Sequence, residues 1–316
     1  MKKHSLIVLM MIVVMGVVGS GSIVNPDTVS AKAKSKYTIY VNRKQNIVNV
    51  VKTKNSKLVR SMYCSVGVNN GTITGTFYTK EKYRWRTLYH NSYGQYATRI
   101  SGPFLFHSVP YSKMKNKKLY NEEYNKLGTA ASMGCVRLAV VDAKWIYDNC
   151  KIGTKVVIND KRKMVAPTRK LYKITSRKKY GWDPTDPDIN NPYSPVIELK
   201  DNVSTTLLKN SKVDLKSFVT VKSKATPAKD LLSNLVVLGT VDTKVPGKYT
   251  VTYSVCDPNT EVTSTLTVKF KVSKKAAPVE VATTAKEQAT TAKEVETTYK
   301  YEKESETTTA AEETTY

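Results

Sequence analysis

Histidine is almost missing: the 316 residues hold three, at positions 4, 90 and 107. The four cysteines, Cys64, Cys135, Cys150 and Cys256, have no C-x-x-C spacing. So thin a supply of ring nitrogens and paired thiols argues against a structural zinc site, and neither metal nor cofactor is expected. A chain of this length folds without disulfide staples, so free thiols are the expectation. Acidic residues are also scarce, with 26 Asp+Glu against 51 Lys+Arg and a net charge of +25. From Glu280 to Tyr316 there are nine Glu and four Lys, so this tail carries −5 and the rest +30. Such a body suits nucleic acid, an anionic envelope surface or an acidic polymer, and charge alone does not choose among them.

Long apolar runs are lacking but for one, LIVLMMIVVMGVV at Leu6–Val18, preceded by MKKHS. Thirteen residues are short for a membrane span and right for a secretory core segment. Val29-Ser30-Ala31 is a small-residue cleavage site, giving a signal peptide over 1–31; cleavage nearer GSGS, or retention as a membrane anchor, stays open. Export directs the basic surface away from nucleic acid and toward the cell wall. The sequence ends in EETTY, so no C-terminal anchor or sorting signal is expected there.

Residues 36–160 read as mainly β. Val, Ile and Tyr recur in short runs broken by NRKQN, KTKNS and NNG, all plausible turns. One helix is expected after Cys135, where Ala143, Ile146, Tyr147 and Cys150 fall at i, i+3, i+4 and i+7, with Gly153 placed to end it. Cys150 then reads as helix core and Cys64 as strand core. Residues 161–195 are basic, then rich in Pro, Asp and Asn, and read as a connector with little regular structure, packed through Trp182 if at all. In 196–274, Tyr249, Val251, Tyr253 and Val255 alternate with polar residues, as do Leu266, Val268, Phe270 and Val272, which predicts a small β-sandwich. Cys256 continues the polar alternation and reads as a partly exposed thiol. Residues 275–316, with the repeated ATTAKE, read as a disordered tail.

The chemistry-bearing stretch is ASMGCVRLAV, Ala131–Val140. A thiol attacks well when it is deprotonated and aimed, with N–H groups near the oxyanion that forms. Gly134 permits close approach and unusual backbone angles beside Cys135. If the segment is extended, Arg137 points to the same side as Cys135, there to hold a loop or to meet a substrate carboxylate. A lone Cys in such a tetrapeptide is more often structural. His4 leaves with the signal, so the proton acceptor is His107 or His90. His107, in FLFHSVPY, has apolar neighbours to position its ring, and the main-chain carbonyl of Ser108 is placed to orient it; a satisfied core histidine is the plainer reading of either alone.

Together FHSVPY and SMGCVRL resemble the YkuD-type L,D-transpeptidase catalytic domain, whose signature is a histidine, a spacer, then Ser/Thr-His-Gly-Cys-Ile/Val-Arg. The likeness spans Lys36 to Asp160 and includes TITGTFYT, close to the family's Thr-Pro-x-Gly strand entry. It implies a YkuD-type β-sandwich or barrel in which Cys135 attacks and His107 is the base, oriented by Ser108. Gly134 and Cys135 would offer oxyanion N–H groups, and Ser132 and Arg137 would hold their motif positions toward substrate. The implied substrate is the peptidoglycan stem tetrapeptide, acylating Cys135 at its third residue and losing the terminal D-Ala. Transfer to a second stem gives a 3→3 cross-link; transfer to water gives a carboxypeptidase. Tyr96 and Arg99, in WRTLYHNSYGQYATRI, are candidate groove residues, against the reading of a strand with a solvated face. Two departures stand out. The spacer from His107 to Ser132 holds 24 residues and reads as an enlarged lid, and Met133 replaces the signature's second histidine. A reduced or differently tuned activity is therefore the expectation. The stretch GTVDTKVPGKYTVTYSVCD resembles bacterial immunoglobulin-like envelope modules, implying a spacer or adhesion unit. Sortases, papain-like proteases and an inactive wall-binding protein on the same fold are the alternatives. Sortases lack the Gly before Cys, and papain-like proteases reverse the Cys–His order. For the body, anionic wall polymers are a further expected partner.

Overall fold

The computed structural model describes residues 35–276. The signal peptide expected at 1–31, and the tail beyond its first two residues, lie outside the described residues. Strands β1 (Tyr37–Asn42), β2 (Ile47–Lys52) and β3 (Leu58–Ser65) form an antiparallel meander, turning at the NRKQN and KTKNS segments. Alternation drives it: Ile39, Val41, Val48 and Val50 all lose their solvent contact in one core. Four more strands follow, β4 (Gly75–Tyr78), β5 (Lys82–Thr87), β6 (Tyr93–Ser101) and β7 (Phe104–Ser108). After a short β8 (Leu119–Tyr120) and α1 (Asn121–Asn125) come β9 (Val136–Leu138), α2 (Val140–Asn149) and β10 (Lys155–Asn159). Nine strands make one sheet in the order β4-β10-β1-β2-β3-β9-β7-β6-β5. The fold is mainly β.

Helix α2 packs on β6 and β7 through its buried Val140, Ala143 and Ile146. It stops at Asn149, earlier than Gly153, because Cys150 is already extended (φ −95°, ψ 107°). The expected apolar face is right in its side-chain set, and Cys150 is fully buried, as is Cys64 in β3. The small α1, inside the spacer, carries no long periodicity to announce it.

Residues 161–195 hold only β11 (Tyr180–Gly181), paired with β8. They are nevertheless a packed strap. Trp182 is only half-buried, while Arg169, Ile174, Asp183, Thr185, Asp186 and Asn191 are buried. Asp183 accepts from the Val140 N–H (2.9 Å) and Thr185 Oγ1 from the Val141 N–H (3.1 Å), so the strap caps the first turn of α2. Polar side chains that satisfy another element's backbone leave no periodic trace, which is why this packing is invisible to pattern reading.

A second β unit has its own core. Strand β12 (Val196–Leu199) pairs with β14 (Val219–Lys222), and the other sheet runs β13 (Thr206–Lys209), β17 (Thr263–Ala276), β16 (Gly247–Cys256), β15 (Leu235–Leu238). The expected alternation is present: Val251, Tyr253, Val255, Val268, Phe270 and Val272 are buried, and Cys256 is exposed. Glu261, in the turn between β16 and β17, ion-pairs with Arg60 (2.6 Å) and Arg169 (3.0 Å), and both arginines also bond the buried Asp142 of α2.

Candidate active site

Strand β9 lies between β3 and β7 and is parallel to β7, with Phe106 opposite Val136, His107 opposite Arg137 and Ser108 opposite Leu138. Side chains alternate along a strand. Phe106, Val136 and Leu138 therefore enter the core, while His107, Arg137 and, two places before it, Cys135 share the opposite side. That side is a groove of about 650 Å³, lined by Cys135, His107 and Arg137 together with Arg86, His90, Arg99, Phe104, Glu123, Ser132 and Met133.

The bend before β9 is built to present the thiol. Gly134 sits at φ +152°, and a Cβ there would come within 2.8 Å of the Phe104 ring and 3.0 Å of the Gly71 carbonyl. Only glycine fits. Ser132 Oγ donates to the Cys135 carbonyl (2.6 Å) and accepts from the Gly134 N–H (3.0 Å). Thr72, in TITG, donates to the Gly134 carbonyl (2.7 Å) and accepts from the Gly67 N–H (2.7 Å). Ser132 thus braces the loop from within, and the Gly134 N–H is engaged, which leaves the Cys135 amide as the one of the pair to offer an oxyanion. Cys135 Sγ lies 3.6 Å from the Pro103 carbonyl, a weak thiol hydrogen bond.

His107 is buried, with its Nδ1 2.5 Å from the Ser108 carbonyl. A carbonyl only accepts, so Nδ1 carries the proton and Nε2 keeps its lone pair. Burial, then the Arg137 charge, push the imidazole down to about 3, against the opposing pull of the Ser108 bond. Burial pushes the Cys135 thiol up, opposed by the Leu105 backbone and by Arg137 and Arg99. The resting pair is therefore neutral thiol and neutral imidazole. Ser108 itself is fixed from behind: its Oγ accepts from the Gln95 N–H (2.8 Å), and Gln95 Nε2 reaches Asp186 of the strap (3.1 Å).

Arg137 ion-pairs with Glu123 of α1, so it holds the spacer over the groove. Burial raises the Glu123 carboxyl, but bonds to Lys126 and Arg137 outweigh this and keep it below the usual carboxylate range. Arg99 lines the groove, tied to Glu81 (2.6 Å) and Tyr83 (3.2 Å).

Tyr96 does not reach the groove. It is buried on the helix side, with its ring against Tyr147 and under the Arg84 guanidinium (4.0 Å to centroid). Arg99 lies three residues further along β6, an odd step that sets the two side chains on opposite faces, so plain alternation already keeps Tyr96 off the groove wall that Arg99 lines. Met133 is 66% exposed at the groove, where the signature has its second ring.

Residues 36–158 match the YkuD family model, the L,D-transpeptidase catalytic domain. The YkuD match thus covers the nine-strand sheet almost whole and stops short of the strap that braces it. Over 114 residues the chain is 40% identical to "Putative L,D-transpeptidase YciB" of Bacillus subtilis (strain 168), covering 33% of this chain and 57% of that protein. The chain therefore spans little more than half of that relative's length. Among solved structures, a fused Zn-dependent amidase/peptidase/peptidoglycan-binding domain-containing protein from Clostridium acetobutylicum ATCC 824 is 32% identical, covering 39% of this chain and 51% of that one, with a TM-score of 0.31. L,D-transpeptidase 3 from Mycobacterium tuberculosis, solved with a faropenem-derived adduct, is 18% identical, covering 40% of this chain and 60% of that one, with a TM-score of 0.32. Within the YkuD segment, pattern reading missed Thr72 as the loop's brace, although its TITG stretch was in view, and missed Glu123 altogether. A single carboxylate in a basic spacer gives no signal until α1 brings it to Arg137.

Proposed function

We propose that this protein is an exported cysteine L,D-transpeptidase of the cell wall, acting on peptidoglycan stem tetrapeptides. The observation that carries the reading is the β7–β9 register, which gives Cys135, His107 and Arg137 one groove wall, with the His107 lone pair freed by Ser108. Cys135 Sγ attacks the carbonyl of the third stem residue and passes its proton to His107 Nε2. The imidazolium then protonates the departing amine as the C–N bond breaks. D-Ala leaves and a thioester remains. The side-chain amine of a second stem then attacks the thioester, forming a 3→3 cross-link and returning the proton to the thiol by way of His107. Water in place of that amine makes the same site an L,D-carboxypeptidase.

Export and a wall location rest on the apolar segment at Leu6–Val18 and the basic body, for which anionic wall polymers are the proposed partner. The second β unit is proposed as an immunoglobulin-like spacer. An inactive wall-binding protein is the second reading, favoured by Met133 in the place of the signature's second histidine.

The test is mass spectrometry of the protein after incubation with purified disaccharide-tetrapeptide, with Cys135→Ala and His107→Ala in parallel. An acyl adduct on the wild type alone, plus a dimer lacking one D-Ala, is the expected result. Absence of both adduct and D-Ala release would favour the inactive reading, and Met133→His would then show whether one ring restores turnover.

A further inference from the structure

Four adjacent strands carry a row of residues across the groove face. Arg86 of β5 is in register with Gly94 of β6, Gly94 abuts His107 of β7, and His107 is in register with Arg137 of β9. Cross-strand partners share a face. The row therefore reads Arg86, Gly94, His107, Arg137, and Arg86, His107 and Arg137 all line the groove. Gly94 is its gap: a Cβ there would stand 2.8 Å from His107 Nδ1, so no side chain intervenes between Arg86 and the base.

The charges of this row are unequally engaged. Arg137 is ion-paired with Glu123, and outside the row the groove's Arg99 is bound to Glu81, Tyr83 and the Gly102 carbonyl. Glu123, the acid lining the groove, is divided between Arg137 and Lys126. Arg86 differs. Among the described residues no carboxylate lies within ion-pair distance of it, and its guanidinium rests on the Tyr83 ring at 4.7 Å. A planar fork of free donors at the groove wall matches a carboxylate two-pronged. Two strand spacings, about 10 Å, separate it from His107, and its long side chain covers much of that.

Resting on the transpeptidase reading, we propose that Arg86 is a specificity residue of this site, receiving a carboxylate of the donor peptide within about two residues of the scissile bond. Two carboxylates have this chemistry: the C-terminal one on the leaving residue, and a non-terminal one on the retained part of the stem.

The experiment uses the full chain and three synthetic stem tetrapeptides: the free acid, its C-terminal amide, and the form amidated at the non-terminal carboxylates. D-Ala or D-Ala-amide release gives kcat and KM for wild type, Arg86→Ala and Arg86→Lys. On the free acid, Arg86→Ala is expected to raise KM about tenfold with kcat within about twofold, and Arg86→Lys to recover part of the loss. The amide on which wild type and Arg86→Ala converge identifies the carboxylate. An unchanged KM, or an equal loss on all three peptides, overturns the proposal. If the wild type forms no acyl adduct, the transpeptidase reading fails separately. Calorimetric binding of the free acid to Cys135→Ala protein then decides: about tenfold weaker binding with Arg86→Ala added sustains the carboxylate site, and equal binding overturns it.

Discussion

Cys135 and His107 line one groove and rest there uncharged, as thiol and imidazole. The imidazole, depressed to about 3 by burial and by Arg137, is a free base at every ordinary pH, and the thiol, raised by burial, is mostly protonated there. Alkylation of Cys135 by iodoacetamide is therefore expected to keep accelerating up to and beyond pH 9, about tenfold per unit, because only the thiolate reacts. A thiolate–imidazolium pair would instead give a plateau near neutrality. Peptide mass spectrometry measures this, with exposed Cys256 as the reactive reference and buried Cys64 and Cys150 as the protected ones. At this scale the sequence told a good deal. Cys135, His107 and Arg137, which the structure brings to one groove, could be singled out as candidates because the proposed chemistry calls for those residue types and few of them exist in the sequence. Tyr96 is set off the groove by parity alone, three residues from Arg99 along β6, and its aromatic neighbours in sequence gave no reason to override that.

Elements that obey a period were legible, and those held by polar caps were not. The turns of the β1–β2–β3 meander and the alternation of β16 and β17 follow from two-residue periodicity. The strap at 161–195 has no period, yet its Asp183 holds the N-terminus of α2, the helix that follows β9. Asp183→Ala leaves the Val140 N–H and the Thr185 hydroxyl without their acceptor, an expected loss of about 2 kcal/mol. Asp183→Asn keeps one acceptor oxygen, but its amide NH2 then faces the donors that the other oxygen served, since the Val140 N–H uses Oδ2 and the Thr185 N–H and hydroxyl use Oδ1. Burial drives the Asp183 carboxyl up to about 7 despite its bonds to Thr185 and Val140, so loss of the charge is expected to cost less than loss of the acceptor. Urea unfolding of the two variants at pH 7 checks the ranking. Equal losses would mean that the second acceptor oxygen, which Asn lacks, is needed as much as the first.

For the molecule as a whole, a polar cluster joins the two β units. Arg60 and Arg169 each bridge Asp142 of α2 and Glu261 of the second unit, so two cations face two carboxylates. Glu261→Ala leaves two guanidinium groups against the single buried Asp142, and an uncompensated charge of this kind is costly. The units are expected to separate, seen as a larger radius of gyration in solution scattering and as two calorimetric transitions in place of one. A single unchanged transition would show that the cluster does not join them. Lys224 of the second unit also lies over the Tyr193 ring of the strap, at 5.7 Å from its centroid, and β12 begins three residues after Tyr193. Little slack chain remains between the two bodies. So short a tether is expected to keep the groove close to whatever the second unit grips.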